Sequence, residues 1–450
     1  MSKQKRILVV AYYYWPDNSI GAVRPTKIIK YLSSEYAIDV LTRKREDKSV
    51  YNGQYASRIF EVEQKQSRAS EIIIKFRNTA FYQFFRKKDL SNETKKSNVR
   101  GIQNNGKDNS VSLLRKASTK LLMLQSFLDD VRYGKEVVRQ IKKLGLSEKY
   151  DVIISECAPF SSNIIAYHIA KNIPAVNWIA DFRDQVIQTY TPGLMRAFYW
   201  HWMKKIEKKA CHIVTVNEFC LAGLKLKTNK GKCISNGYDI SDFIDESDYN
   251  IQKESNSKLT FTYTGNLYPK KSDLSLFFQA LRDLSNDGML DLSKIEVKYA
   301  GADYESFYAQ AQTYNVEGCL CNAGSLNRMD AINLQEKSDV LLLATWNTDK
   351  EQGIITGKFF EYLAARRPII STVTGNVPNS MIKEYIYEHG LGCCIEHTNI
   401  AKEYNSLKQY IKKIYEQFSM SGKVNYTAEE EFINSFSYDE LIKKWKTLLN

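Results

Sequence analysis

The chain has 450 residues, 43% of them apolar and 12% aromatic, which suits two or three folded domains with large buried cores. Its formal net charge is +13, and the excess is local: Lys65 to Lys120 carries 14 Lys and Arg against 4 Asp and Glu, with the remainder close to neutral. A surplus confined to one segment argues against a nucleic-acid-binding or scaffold protein, whose charge would follow a groove interleaved with stacking aromatics.

In RILVVAYYYWP the apolar run follows Lys3, Lys5 and Arg6 and has a faint likeness to a secretory leader. The run is short, meets Pro16-Asp17 and is followed by no small-residue cleavage site, so it reads as a first buried strand. A loop containing Gly21, a helix across RPTKIIKYLSSE and a strand IDVLTRK come next, the order of a parallel βαβ unit. YDVIISE, PAVNWIADFRD, CHIVTVN and GKCISNG read as further parallel strands with helical stretches between them. Together they give one doubly wound domain over residues 1–240. Residues 65–130 interrupt that cycle with basic amphipathic segments, EIIIKFRNTAFYQFFRKK and LLRKASTKLLMLQSFL, around a polar run. Such an insertion either rests on an anionic membrane or packs on its own domain as an exposed basic helix pair.

Polar residues 241–258 read as a linker. Over residues 259–430 the strands LTFTYTGNLY, KIEVKYAG, VEGCLCNAG and DVLLLAT alternate with helices DLSLFFQALRDL, ESFYAQAQTYN and RMDAINLQEKS, a second α/β domain of the same grammar. Residues 431–450 close with an amphipathic helix, LIKKWKTLLN. Two such domains predict a ligand cleft at the carboxyl ends of their strands. No run approaches the roughly 18 apolar residues of a spanning helix, so any membrane contact is expected to be peripheral. The eight cysteines form no Cys-x-x-Cys pair and have no histidine at ligand spacing, which predicts neither a zinc site nor a disulfide framework and fits a reducing cytoplasm. Cys319 and Cys321 read as alternating positions of a buried strand.

Three turns suit an anion. In GIITGKFFEYLAARRP, Gly357 opens a helix whose first amides and dipole favour negative charge, and Lys358 adds a cation there. Glu361 lies three residues on, sharing a helix face with Lys358; the alternative is a local Lys–Glu pair on an exposed turn. This is no P-loop, because three residues separate Gly353 from Gly357 and Phe359 stands where Ser or Thr is required. YTGNLYPKK supplies Gly265, Asn266, Lys270 and Lys271 after a strand, and PDNSIGAVRPTK supplies Gly21 and Arg24. IADFRDQ ends a strand with Asp181, Arg183 and Asp184, at the cleft or in a local ion pair.

These segments, in this order, resemble the retaining, nucleotide-sugar-dependent glycosyltransferases of family 4, with the GT-B fold. The likeness covers most of the chain apart from the basic insertion. It implies transfer of a sugar from a nucleoside diphosphate to a hydroxyl of a glycan or lipid-linked glycan precursor, at the cytoplasmic face of a membrane, with no metal or other cofactor and no nucleic acid. The donor would lie mainly on the carboxyl-terminal domain, the acceptor mainly on the amino-terminal one, and the final helix would cross back to the latter. Glu361 then matches the family glutamate at the donor ribose. Asn266 with Lys270 or Lys271 occupies the diphosphate segment, Gly21 matches the facing glycine loop, and Lys358 stabilises the leaving group. Asp181 or Asp184 would orient the acceptor, with Arg24 and Arg183 on that side. Two departures stand out: the family's first glutamate falls at Gly353, with Glu351 two residues early, and its arginine falls at Asn266. A nucleotide-sugar epimerase on the same fold would need acid/base groups on both faces of the sugar, and no such pair is evident.

Overall fold

The computed structural model describes residues 4–17, 19–44, 55–77, 113–146, 150–188, 190–243 and 257–450. Most of the basic insertion, residues 78–112, and most of the expected linker, residues 244–256, lie outside the described residues. The chain divides into two compact units, residues 1–215 with 221–232, and residues 216–220 with 233–448.

The first unit is built from β1 (Arg6–Ala11), α1 (Ile20–Leu32), β2 (Ala37–Arg43), β3 (Arg58–Val62), α2 (Arg68–Arg77), α3 (Leu113–Gln140), β4 (Val152–Cys157), α4 (Ser161–Asn172), β5 (Asn177–Phe182), α5 (Gly193–Lys209), β6 (His212–Thr215), the latter part of α6 (Glu218–Leu224), whose first residues through Cys220 belong to the second unit, and β7 (Gly231–Cys233). Its sheet runs β3-β2-β1-β4-β5-β6-β7, parallel from β3 to β6. Every residue of β4 is buried, as a parallel strand covered on both faces requires. Trp178, Phe160, Phe182 and Ile206 anchor the core.

Three expectations shift here. Gly21 is the second residue of α1 and lies in no loop. The helix expected across RPTKIIKYLSSE begins earlier, at Ile20 with Ser19 in the N-cap position, and Pro25 sits inside it with no N–H for the Gly21 carbonyl. The edge strand β3 escaped notice because only Val62 of its five residues is buried, leaving no apolar run to read. The described part of the insertion packs on its own unit: Asp129 of α3 accepts from Ser67 N and Ser70 Oγ at 2.8 Å each, and Phe127 meets Phe198 of α5 edge-on at 5.1 Å.

The second unit comprises β8 (Leu259–Thr264), α7 (Ser275–Asn286), β9 (Ile295–Ala300), α8 (Tyr304–Gln312), β10 (Leu320–Gly324), α9 (Arg328–Lys337), β11 (Val340–Asn347), α10 (Gly357–Ala365), β12 (Ile369–Gly375), α11 (Met381–Glu388), β13 (Gly392–Glu396), α12 (Ile400–Ser421), α13 (Glu430–Asn434) and α14 (Tyr438–Leu448). Its sheet is parallel throughout, in the order β10-β9-β8-β11-β12-β13. Apolar clusters cover both faces, one around Phe261, Phe277 and Ile411, the other around Leu343, Phe359 and Ile382. Because all the strands point one way, the loops after β8 and β11 emerge along one edge, the place where open α/β sheets collect ligand groups. Cys319 corrects its expectation: it is buried in the 3-10 turn Glu317–Cys319, and Cys321 is half-buried on the edge strand β10, none of whose residues is fully buried.

Candidate functional site

In the second unit the chain leaves β8 at Thr264 and turns through Gly265, whose φ of +90° suits glycine alone. A Cβ at Gly265 would lie 2.8 Å from Lys358 Cε, so the same glycine makes room for the lysine. Lys358 is the second residue of α10. Its Nζ donates to Tyr263 Oη at 2.6 Å and to the Asn266 carbonyl at 3.0 Å, and stands 4.0 Å from the Tyr263 ring centroid. Burial pushes the Lys358 ammonium down from the ordinary lysine range to about 7, against the attraction of Glu361 and Asp303.

The start of α10 is open. Thr356 at the N-cap makes no side-chain cap bond, and no acidic residue lies in the first turn, so the helix presents its first amides and positive dipole end uncompensated. Phe359, Phe360 and Leu363 turn to the core and fix the helix axis. One turn on, Glu361 Oε2 accepts from Gln335 Nε2 at 3.3 Å, and Oε1 is 3.5 Å from Arg328 Nη2, which also donates to Asp242 at 3.2 Å. The local Lys–Glu pair is therefore not what holds these two residues. Lys358 is drawn to the Gly265 turn, and Glu361 is oriented from α9.

The two lysines of YPKK part company. Lys270 is exposed, with a left-handed φ of +64°. Lys271 Nζ meets Glu351 Oε2 at 2.5 Å and lies 4.4 Å from the Trp346 ring centroid, while Trp346 Nε1 donates to the same Glu351 oxygen at 2.7 Å. Gly353 has φ +64°, a Cβ there would stand 2.9 Å from Phe219 Cβ, and its carbonyl accepts from Asn217 Nδ2 at 2.9 Å. A glutamate at this position, as the resemblance led one to expect, would have no room.

In the first unit, the carboxyl ends of β4 and β5 carry adjacent carboxylates, Glu156 and Asp181, in register. Asp181 is fully buried and takes a two-pronged bond from Arg24 of α1, Nε to Oδ2 at 2.7 Å and Nη2 to Oδ1 at 3.0 Å. Arg183 Nε lies 3.2 Å from Glu156 Oε1 and donates to Asp184 at 3.2 Å; Asp184 itself is 69% exposed. Gly21 lets this guanidinium approach α1, since a Cβ there would stand 3.0 and 3.2 Å from its Nη atoms. Glu156 is 1% exposed, and neither of its oxygens receives a hydrogen bond. Its burial pushes the carboxyl up to about 8, with Arg183 opposing.

No protein-family model matches the sequence. No curated protein matches it either. Solved structures do match along the whole chain. Sucrose-phosphate synthase from Thermosynechococcus elongatus aligns at a TM-score of 0.54 and 10% identity, over 99% of this chain and 98% of that one. Anabaena HepE, solved with UDP and glucose, aligns at 0.56 and 11%, over 99% of both chains. The lipopolysaccharide outer core galactosyltransferase WaaB, in apo form, aligns at 0.52 and 11%, again over 99% of both. The fold is GT-B.

On this GT-B framework the expected donor-side residues Gly265, Asn266, Gly357, Lys358 and Glu361 gather around the open end of α10, and Lys271 is turned to Glu351. Arg24, Arg183, Asp181 and Asp184 gather in the first unit, with Asp181 wholly engaged by Arg24. Sequence reading missed Tyr263, Arg328, Gln335 and Glu156. Glu156 carried a usable signal, a charge ending an apolar strand, the same that singled out Asp181; the others are fixed by long-range contacts that no local pattern announces. Among the described residues no helix is long and apolar enough to cross a membrane, and no group of three His, Cys, Asp or Glu stands ready to hold a metal ion.

Proposed function

We propose that this chain is a retaining, nucleotide-sugar-dependent glycosyltransferase of family 4, moving a sugar to a hydroxyl of a glycan or lipid-linked precursor in surface polysaccharide assembly at the cytoplasmic face of a membrane. The observation that carries the reading is Lys358, held against the Gly265 turn at the uncapped start of α10, with Glu361 one turn further along the same helix. That arrangement supplies backbone amides, a helix dipole and one ammonium for a diphosphate, and a carboxylate within a helical turn for the hydroxyls of a ribose. As the glycosidic bond to the donor breaks, negative charge grows on the departing diphosphate, and donors already fixed in place stabilise it without reorganising. The structural match to HepE, a protein solved with UDP and glucose, supports the same reading. Arg24, Arg183, Asp181 and Asp184 are assigned to the acceptor side, Gly21, Lys270 and Lys271 to the donor's phosphates and sugar, and the reaction as proposed needs no metal.

A thermal-shift panel of nucleoside diphosphates and nucleotide sugars, on wild type, Lys358→Ala and Glu361→Ala, tests this. At least one compound should raise Tm in the wild type and less in each variant. If none does, the transferase reading fails; if one does and both variants respond equally, the residues are misassigned. Peripheral contact of residues 65–130 with anionic membrane is proposed with it, and vesicles containing phosphatidylserine should sediment the full chain but not one lacking residues 85–120.

A further inference from the structure

Glu156 is the one side chain of the β4–β5 edge whose surroundings do not account for it. It is buried to 1% exposure and both oxygens lack a hydrogen-bond donor, although Arg183 Nε lies only 3.2 Å from one of them. A carboxylate left so is costly in a buried setting, whereas a carboxyl group holding its own proton is far less so. The charges around it point the same way. The groups facing Glu156 are Arg24 from α1, Asp181 from β5, and Arg183 and Asp184 from the turn after β5. Arg24 is matched by Asp181 and Arg183 by Asp184, so the cluster is neutral with a proton on Glu156 and one charge negative without it.

Of the two arginines Arg183 is the more exposed, its side chain 13% exposed against 3% for Arg24. Nε is its hydrogen-bonding atom, and among the described residues neither Nη atom has an acceptor; both lie against Gly21 at the start of α1, a helix with no acid in its first turn. A guanidinium edge with unused N–H groups beside helix amides fits a phosphoryl oxyanion.

We propose that Glu156 is a proton-holding positioning residue for Arg183. Neutral, it leaves the Nη edge of Arg183 free to take a phosphoryl group; ionised, it draws the guanidinium inward and cancels its charge. The phosphoryl group belongs to the donor diphosphate or to a phosphorylated acceptor. This deepens the transferase reading and rests on it only for the identity of that compound, because the anion binding stands by itself.

The probe is sulfate, whose charge does not change between pH 7 and 9.5, titrated calorimetrically into full-length Lys358→Ala protein, which removes the other titrating cation. Sulfate affinity should fall above about pH 8, approaching about tenfold per pH unit if one proton is bound with each anion. Adding Glu156→Gln should leave sulfate binding with no such pH dependence, and adding Arg183→Ala should abolish this binding. A flat pH profile with Glu156 present, a slope that Glu156→Gln leaves unchanged, or binding unaffected by Arg183→Ala overturns the proposal; a weak adventitious ion would give the last result. If Glu156→Gln does not fold, the slope in the Lys358→Ala protein still decides. Competition of sulfate with UDP assigns the phosphoryl group to the donor, and its absence assigns it to the acceptor. Failure of the nucleotide panel with the sulfate result intact would sink the transferase reading alone.

Discussion

Placing at Gly353 the glutamate that the family 4 resemblance leads one to expect there should damage the protein. Gly353 has a left-handed φ of +64°, which costs a residue with a Cβ about 1–2 kcal/mol. Its Cβ would sit 2.9 Å from Phe219 Cβ, a contact that forces a shift of the kind that costs about 1–3 kcal/mol in a packed site. Gly353→Glu is thus expected to destabilise the second unit by about 2–5 kcal/mol, and at about 2–4 °C per kcal/mol for a domain of this size that is readable by scanning calorimetry. The two contributions separate in a double-mutant cycle. In a Phe219→Gly background the collision is gone and the backbone strain stays, so the cost should drop to about 1–2 kcal/mol. A Gly353→Glu protein melting with the wild type, or a cost unchanged by Phe219→Gly, would refute this account of the position.

Three further outcomes follow from the same geometry. Lys358→Met should weaken UDP binding by roughly 10- to 100-fold, the range of one charge-assisted hydrogen bond; wild-type affinity should decline as pH rises above about 7, because the protonated ammonium is the binding form, and calorimetry at about pH 6.5 and 7.5, below the range where Glu156 ionises, should find that decline absent in the variant. Gly265→Ala should lower stability by about 1–3 kcal/mol through its positive φ and also weaken UDP binding by displacing Lys358; retention of wild-type affinity would show that the turn does not place the lysine. Asp181→Asn should cost about 3–5 kcal/mol in urea unfolding by leaving Arg24 buried without its counter-charge, and a loss of activity at unchanged stability would instead place Asp181 at the reacting atoms.

Both α/β units were legible because parallel strands buried on two faces leave unbroken apolar runs, as in RILVVA and DVLLLA. Edges were not, since β3 buries only Val62 and β10 nothing fully. The strand β13 hid for another reason: Cys393 and Cys394 pack there as small apolar side chains, while a sequence reader weighs cysteines as ligands or bridges first. At the site, Lys358 and Glu361 could be put on one helix face from their spacing. What each one touches could not, because Tyr263, Asn266, Arg328 and Gln335 reach them from distant parts of the chain. Gly353 looked like a missing acid until Phe219 came into view beside it, more than a hundred positions away in sequence.

The fastening of Lys271 and Trp346 to one oxygen of Glu351 joins the turn at 348–351 to the loop that leaves β8. If the loop swings the indole loses the ammonium over its ring, and if the turn swings it loses its carboxylate acceptor. Light absorbed by Trp346 therefore samples the field of that ion pair, and a nucleotide that draws Lys271 toward its phosphates would change the colour of the emission. The loop carries its own optical gauge, readable without an attached dye.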